Sequence, residues 1–191
     1  MEYTPERTKA MQKVKILGIS GSLRSNSSTH AIMNAVRELA SNTVEFKVYE
    51  GLSSLPPFDD SNQVPIEVEE FRKQLKEADG VFFVSPEYAF GVPGSLKNAL
   101  DWTVSSGELV YKPAALVVAA TGGENAYQAL LLIFKALSLN INEESKLLVS
   151  FVRSKLNQEG KITDLKTVES LKMVLNDLIK NIQSSIPSSI L

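Results

Sequence analysis

Five serines and one arginine crowd the ten residues ISGSLRSNSS (19–28), at the end of the apolar run VKILGIS (14–20). Hydroxyls, backbone N–H groups at a helix start and one guanidinium fork can together satisfy the oxygens of a phosphate monoester dianion. The positive end of a helix dipole would add to them. Ser20, Ser22, Arg24, Ser27 and Thr29 lie within that reach. The same residues also suit a plain capping loop with an exposed arginine, since Ser and Thr are favoured N-caps. The local sequence leaves both readings open.

Other chemistries fail on residue count. A serine-hydrolase elbow needs G-x-S-x-G, but Gly18-Ile19-Ser20-Gly21-Ser22 ends on serine, and the single histidine, His30, lies in the next helix rather than late in the chain. A phosphate-binding G-x-x-x-x-G-K-[ST] loop finds no lysine at the required distance from Gly21. A dinucleotide fingerprint finds Ser20 and Leu23 in place of its second and third glycines. The chain has no cysteine, which excludes disulfides, a catalytic thiol and thiolate metal sites, and suits a reducing, cytoplasmic compartment. His30 is expected to be a surface or capping side chain.

A second unusual stretch is SPEYAFGVPGSLKNALDW (85–102), in which two prolines, two glycines, a glutamate and two aromatics precede a helix starting near Gly94. The prolines stiffen such a loop. Its backbone could hydrogen-bond a planar heterocycle while Tyr88, Phe90 and the prolines supply apolar surface. A simple turn with helix caps is the plainer alternative.

These loops need a frame. Strand-like runs occur at 14–20, 44–50, 80–86, 114–121 and 146–152, and segments of helical period at 29–40, 68–78, 95–104, 126–139 and 165–182. Ile32, Val36 and Leu39 share one helix face, as do Val68, Phe71 and Leu75, and Leu96, Ala99, Leu100 and Thr103. Apolar strands alternating with helices imply a parallel sheet covered on both faces. The expected class is α/β, a flavodoxin-like three-layer sandwich with a five-stranded parallel sheet of order 2-1-3-4-5. Its ligand site lies at the carboxyl ends of the strands. Residues 20–28, 85–94 and 121–127 would then build the site, with the Pro- and Asp-rich segment 51–65 a loop able to overhang it.

Composition agrees with one domain over 1–191, with loose termini at 1–12 and 184–191. Hydrophobic residues make up 43% and charged residues 22% of 191, near the globular average, and the net charge of −2 comes from interleaved signs without a basic stripe. Nucleic acid is therefore not an expected partner. The polar N-terminus lacks a signal-peptide core, and no apolar run approaches the ~20 residues of a membrane span, so no membrane partner is expected either.

The chain resembles the NADPH-dependent FMN reductase family, flavodoxin-like proteins that include quinone, azo-dye and chromate reductases. The resemblance rests on GSLR (21–24) and PEY…PGSLKNALDW (86–102), with weaker echoes in LPPFDD (55–60), ADGVFFVSPEY (78–88) and GGENAYQALL (122–131). It implies that Ser20, Ser22, Arg24 and the turn Ser27, Ser28, Thr29 hold the phosphate of FMN. It further implies that Pro86, Glu87, Tyr88, Ala89 and Phe90 lie along the isoalloxazine and ribityl chain, and that Thr121, Gly122 and Gly123 close the pyrimidine side. Ala89 and Thr29 stand where the family often has asparagine.

An FMN enzyme explains the lack of a catalytic thiol, metal ligands or a usable histidine, because the flavin carries the chemistry. The resemblance implies a ping-pong reductase that takes hydride from NADPH or NADH at flavin N5 and passes electrons to a small-molecule acceptor such as a flavin, quinone or azo compound. Backbone N–H groups of 121–123 would face the N1/C2=O edge. A homodimer or homotetramer is expected, with Lys97 and Asp101 either a surface i,i+4 pair or a subunit contact, and Trp102 in the core or at an interface. The alternative is a non-catalytic electron carrier of flavodoxin type, although such carriers are usually far more acidic than −2. A receiver-type domain is disfavoured, since Ser20 and Ser85 stand where its acidic residues belong.

Overall fold

Alternation along the strands divides the interior in two. The computed structural model describes residues 13–61 and 63–185. Its strands are β1 (Val14–Ser20), β2 (Val44–Tyr49), β3 (Gly80–Ser85), β4 (Ala114–Ala119) and β5 (Lys146–Val149). They form one sheet of order β2-β1-β3-β4-β5 in which every neighbouring pair is parallel. The helices are α1 (Ser28–Leu39), α2 (Ile66–Glu77), α3 (Gly94–Asp101), α4 (Glu124–Ala136) and α5 (Leu165–Ser185).

On one face Leu17, Ile19, Val81, Phe83, Leu116 and Val118 meet α2, α3 and α4. On the other, Ile16, Phe82, Val84, Val117 and Ala119 meet α1 and α5. Each strand thus sends successive residues to opposite layers, as its period of two requires. The expected flavodoxin-like sandwich and its strand order are what the chain adopts.

Several boundaries differ from the sequence expectation. β2, β3, β4 and β5 stop one to three residues early, at Tyr49, Ser85, Ala119 and Val149, while α2 and α4 begin two residues early, at Ile66 and Glu124. Apolar residues past a strand's end, such as Phe151 and Val152, continue its pattern although the backbone has already turned. Phe151 has φ +53° and is 67% exposed. Ile66 hides the start of α2 because it is 70% exposed and adds nothing to the buried stripe. α3 ends at Asp101, not 104, and α5 continues through Ser184 and Ser185, which were expected in the loose tail. Residues 1–12 and 186–191 lie outside the described residues.

The segment 51–65 opens with a 3₁₀ turn, Gly51–Ser54, and is then tied to α3. Asn98 Nδ2 and Trp102 Nε1 both donate to the Pro56 carbonyl at 2.9 Å, and the Phe58 N–H donates to Asn98 Oδ1 at 2.7 Å. Phe58 meets Trp102 edge to face. Trp102 is a core residue of this chain, and its carbonyl receives both Nε and Nη2 of Arg72. Lys97 and Asp101 pair within the chain at 2.6 Å. Among the described residues no helix is long and apolar enough to cross a membrane.

Candidate functional site

The first loop leaves β1 at Ser20 and is stitched together by its own hydroxyls. The Ser20 hydroxyl donates to Thr29 Oγ1 at 3.2 Å, and Ser27 Oγ lies 2.8 Å from the same atom. The Ser22 N–H donates to Ser20 Oγ and the Arg24 N–H to Ser22 Oγ. Ser27 is the N-cap of α1, accepting the His30 N–H at 3.3 Å. Ser20, Ser22, Ser27 and Thr29 are all buried, while the Arg24 side chain is exposed.

His30 secures the loop from the helix side. Its Nδ1 lies 2.6 Å from the Arg24 carbonyl, and a carbonyl can only accept, which assigns the Nδ1–H tautomer. His30 therefore caps and straps the loop.

The second loop follows β3. Gly21 joins it to the first, with its N–H on the Val84 carbonyl at 2.7 Å. A side chain at Gly21 would crowd Leu96, Ser85 and Pro86, with 3.1–3.3 Å to each. Beyond Pro86 the chain makes a tight hairpin in which Tyr88 and Gly91 exchange backbone hydrogen bonds. The two residues between them, Ala89 and Phe90, have φ of +48° and +58°, the combination of a type I′ turn, at which neither residue type is at ease. Phe90 is 81% exposed, and Tyr88 is exposed with its hydroxyl 3.5 Å from Ser22 Oγ.

The third loop, between β4 and α4, is held by the second. Glu87 Oε2 accepts the Ala126 N–H at 2.9 Å and Oε1 the Gly123 N–H at 3.3 Å. Gly123, the N-cap of α4, has φ +109° and no side chain able to cap. The Glu87 carboxylate takes over that function, favoured by the positive helix end. Of the N–H groups expected to face a ligand, that of Gly123 is thus engaged by Glu87.

The three loops converge on a cleft of about 100 Å³ lined by Arg24, Ser27, Ser28, Thr29, Pro86, Glu87, Tyr88, Thr121, Ala119, Ala120, Val152 and Arg153. Ser20 and Ser22 line a larger cavity of about 320 Å³ on the β2 side of the first loop. Tyr49 in that cavity is pushed up to about 12, by burial first and the Glu70 carboxylate second, and so remains a neutral hydroxyl. Ala89, Phe90, Gly122 and Gly123 flank the cleft without lining it. Among the described residues no group of carboxylates and imidazoles is placed to hold a metal.

Sequence reasoning missed Ala119 and Ala120, which a strand carried through 121 hides. It also missed Val152 and Arg153. They belong to a 3₁₀ turn, Val152–Lys155, just past β5, and a strand carried through 152 leaves no loop there to inspect. The signal was available, because every loop at the carboxyl edge of the sheet is eligible.

Comparison with known proteins agrees with this geometry. The sequence profile described as NADPH-dependent FMN reductase matches residues 14–177. The chain is 34% identical over 178 residues to an NAD(P)H:quinone oxidoreductase of Solanum tuberosum, covering 87% of this chain and 91% of that one. It is 27% identical over 183 residues to NADH-dependent flavin reductase subunit 2 of Lactobacillus johnsonii, covering 90% and 99%. A flavoenzyme NAD(P)H:acceptor oxidoreductase from Paracoccus denitrificans shares the fold with a TM-score of 0.79 at 23% identity, over 90% of this chain and 98% of that one. The chain belongs to the NADPH-dependent FMN reductase family.

Proposed function

We propose that the cleft between the three loops is where this FMN-dependent NAD(P)H oxidoreductase holds its flavin, and that NAD(P)H and a small acceptor use the open face beside it in turn. When bound, FMN supplies the redox chemistry, accepting hydride from the nicotinamide and passing electrons to a quinone, flavin or similar acceptor. The observation that carries the reading is the convergence of an arginine, the N-terminus of α1 with its hydroxyls, and two exposed aromatic residues at one edge of the sheet.

The residues present fit the cofactor. Arg24, Ser27, Ser28 and Thr29 would hold the phosphate, where the N–H groups of the first turn of α1 are oriented and the helix dipole favours an anion. Ser20 and Ser22 act one step removed, because their hydroxyls hold Thr29 and the Arg24 backbone. Thr29, in place of a common asparagine, keeps an oxygen in that network. Pro86 and Tyr88 with Ala89 and Phe90 would border the ring system, and Thr121 and Gly122 its far side. Glu87 and Gly123 lock the second loop to the third.

The proposal includes a homodimer or homotetramer, for which the exposed Val104, Val110 and Tyr111 beyond α3 offer an apolar surface. It places the enzyme in the cytoplasm, which the cysteine-free composition suits. Titration of FMN and riboflavin into the wild type and Arg24→Ala tests the cradle. The variant should lose FMN affinity by at least about tenfold with little change for riboflavin, and equal losses for both would contradict the assignment.

A further inference from the structure

Arg153 brings a second positive charge to the cleft, and among the described residues its side chain has no hydrogen-bond or carboxylate partner. It shares the cleft with Arg24, and the two also line a larger groove of about 600 Å³ that runs from the first loop toward Gly160. Among the described residues neither guanidinium has a carboxylate partner, whereas Lys155, the other cation of the same turn, lies 3.6 Å from Asp164.

The backbone around Arg153 is held firmly. The Phe151 N–H donates to the Thr121 carbonyl at 3.0 Å and the Val152 N–H to the Ala120 carbonyl at 3.1 Å, fixing the turn to the third loop. On the other side the Thr163 N–H reaches the Lys155 carbonyl, and Leu156 bridges to Ile162. Phe151 enters the turn with φ +53°, a left-handed conformation that is unfavourable for a bulky residue. Strain retained where the surroundings over-determine it points to a functional position. Its effect here is to swing the chain back from β5 so that the second residue onward, Arg153, faces the cleft.

Charge balance supplies the ligand. A phosphate monoester carries roughly −1.5 to −2 at neutral pH. The ionised side chains lining the cleft are Arg24, Arg153 and Glu87, the last turned onto the N-terminus of α4. Arg24 alone offsets about half of that phosphate charge, and Arg24 with Arg153 match it. We infer that Arg153 is a second guanidinium of the phosphate cradle and that it sharpens selection of the phosphorylated flavin over riboflavin. This rests on the reading of the cleft as the flavin phosphate site.

The test is titration of FMN and of riboflavin, followed by flavin fluorescence, into wild type, Arg24→Ala, Arg153→Ala and Arg153→Lys. Arg153 is exposed, so the variants should unfold at the wild-type midpoint. Arg153→Ala should weaken FMN on the order of tenfold while riboflavin moves less than about twofold, and its FMN affinity should depend less on salt. Arg153→Lys should recover part of the loss. An Arg153→Ala protein with wild-type FMN affinity overturns the inference, while the Arg24→Ala loss would leave the cradle standing. An unchanged FMN affinity with a raised KM for NADPH relative to NADH also overturns it, by giving Arg153 to the nicotinamide. A wild type that binds neither flavin, or both equally, removes the cradle and the role of Arg153 together.

Discussion

Glu87, in the loop after β3, caps α4 across the site by accepting the Ala126 N–H at 2.9 Å, with the Gly123 N–H on its other oxygen. Two of the three site loops are thereby coupled through one carboxylate. The helix start has no capping side chain of its own, because Gly123 must be glycine. Its φ is +109°, and a Cβ there would stand 2.7 Å from Leu148 Cδ1.

Glu87→Ala leaves both N–H groups to water and removes a cap worth about 1 kcal/mol. The thermal midpoint should fall by about 2–4 °C for a chain of this size. With the second and third loops proposed to frame the ring system and the first the phosphate, FMN and riboflavin should weaken together, unlike in Arg24→Ala. Thermal unfolding and the two flavin titrations check this, and a Glu87→Ala protein that loses FMN alone would contradict it.

The turn Ala89-Phe90 makes the opposite prediction for stability. Both residues hold positive φ, which costs each roughly 1 kcal/mol, and asparagine or glycine would relieve it. Ala89→Asn should raise the midpoint by about 2–4 °C. Phe90→Gly should also raise the midpoint but increase the KM for aromatic acceptors, since an 81% exposed ring adds little to the core and most to the open face. A stabilised Phe90→Gly enzyme with unchanged KM would deny the ring a role.

The frame of the sheet was readable in advance because strands buried on both faces leave continuous apolar runs, and Leu17 against Ile16 or Phe83 against Phe82 only decides which layer each serves. The first loop was readable in part. Residue types marked Ser27 and Arg24, but spacing cannot tell a hydroxyl that lines the cleft, as Thr29 does, from one that holds its neighbour, as Ser20 does. Glu87 was picked for the site and lines the cleft, but its hold on the third loop was not legible because its partners, Gly123 and Ala126, are 36 and 39 residues away. Arg153 was overlooked because Phe151 and Val152 extend the apolar pattern of β5 past the point where φ turns positive.

Asp164 provides a pH signature for the segment behind Arg153. It accepts the Thr167 N–H at 2.9 Å and hydroxyl at 2.6 Å at the start of α5, and these bonds hold its pKa below the ordinary 3.8. A carboxylate lowered on folding stabilises above its unfolded pKa and loses that contribution as pH falls through its folded one. Asp164→Ala should therefore lower the midpoint at neutral pH, and the gap to wild type should narrow below about pH 4. Thermal melts of both proteins across that range check it, and a gap that stayed constant with pH would contradict it.

The most direct measurement is anaerobic addition of NADPH or NADH to the FMN-loaded protein while following the visible flavin absorption. The predicted result is bleaching by the nicotinamide and return of colour when a quinone is added. Bound FMN that stays oxidised with either nicotinamide would make the protein an electron carrier and contradict the account, as would a chain that takes up no FMN.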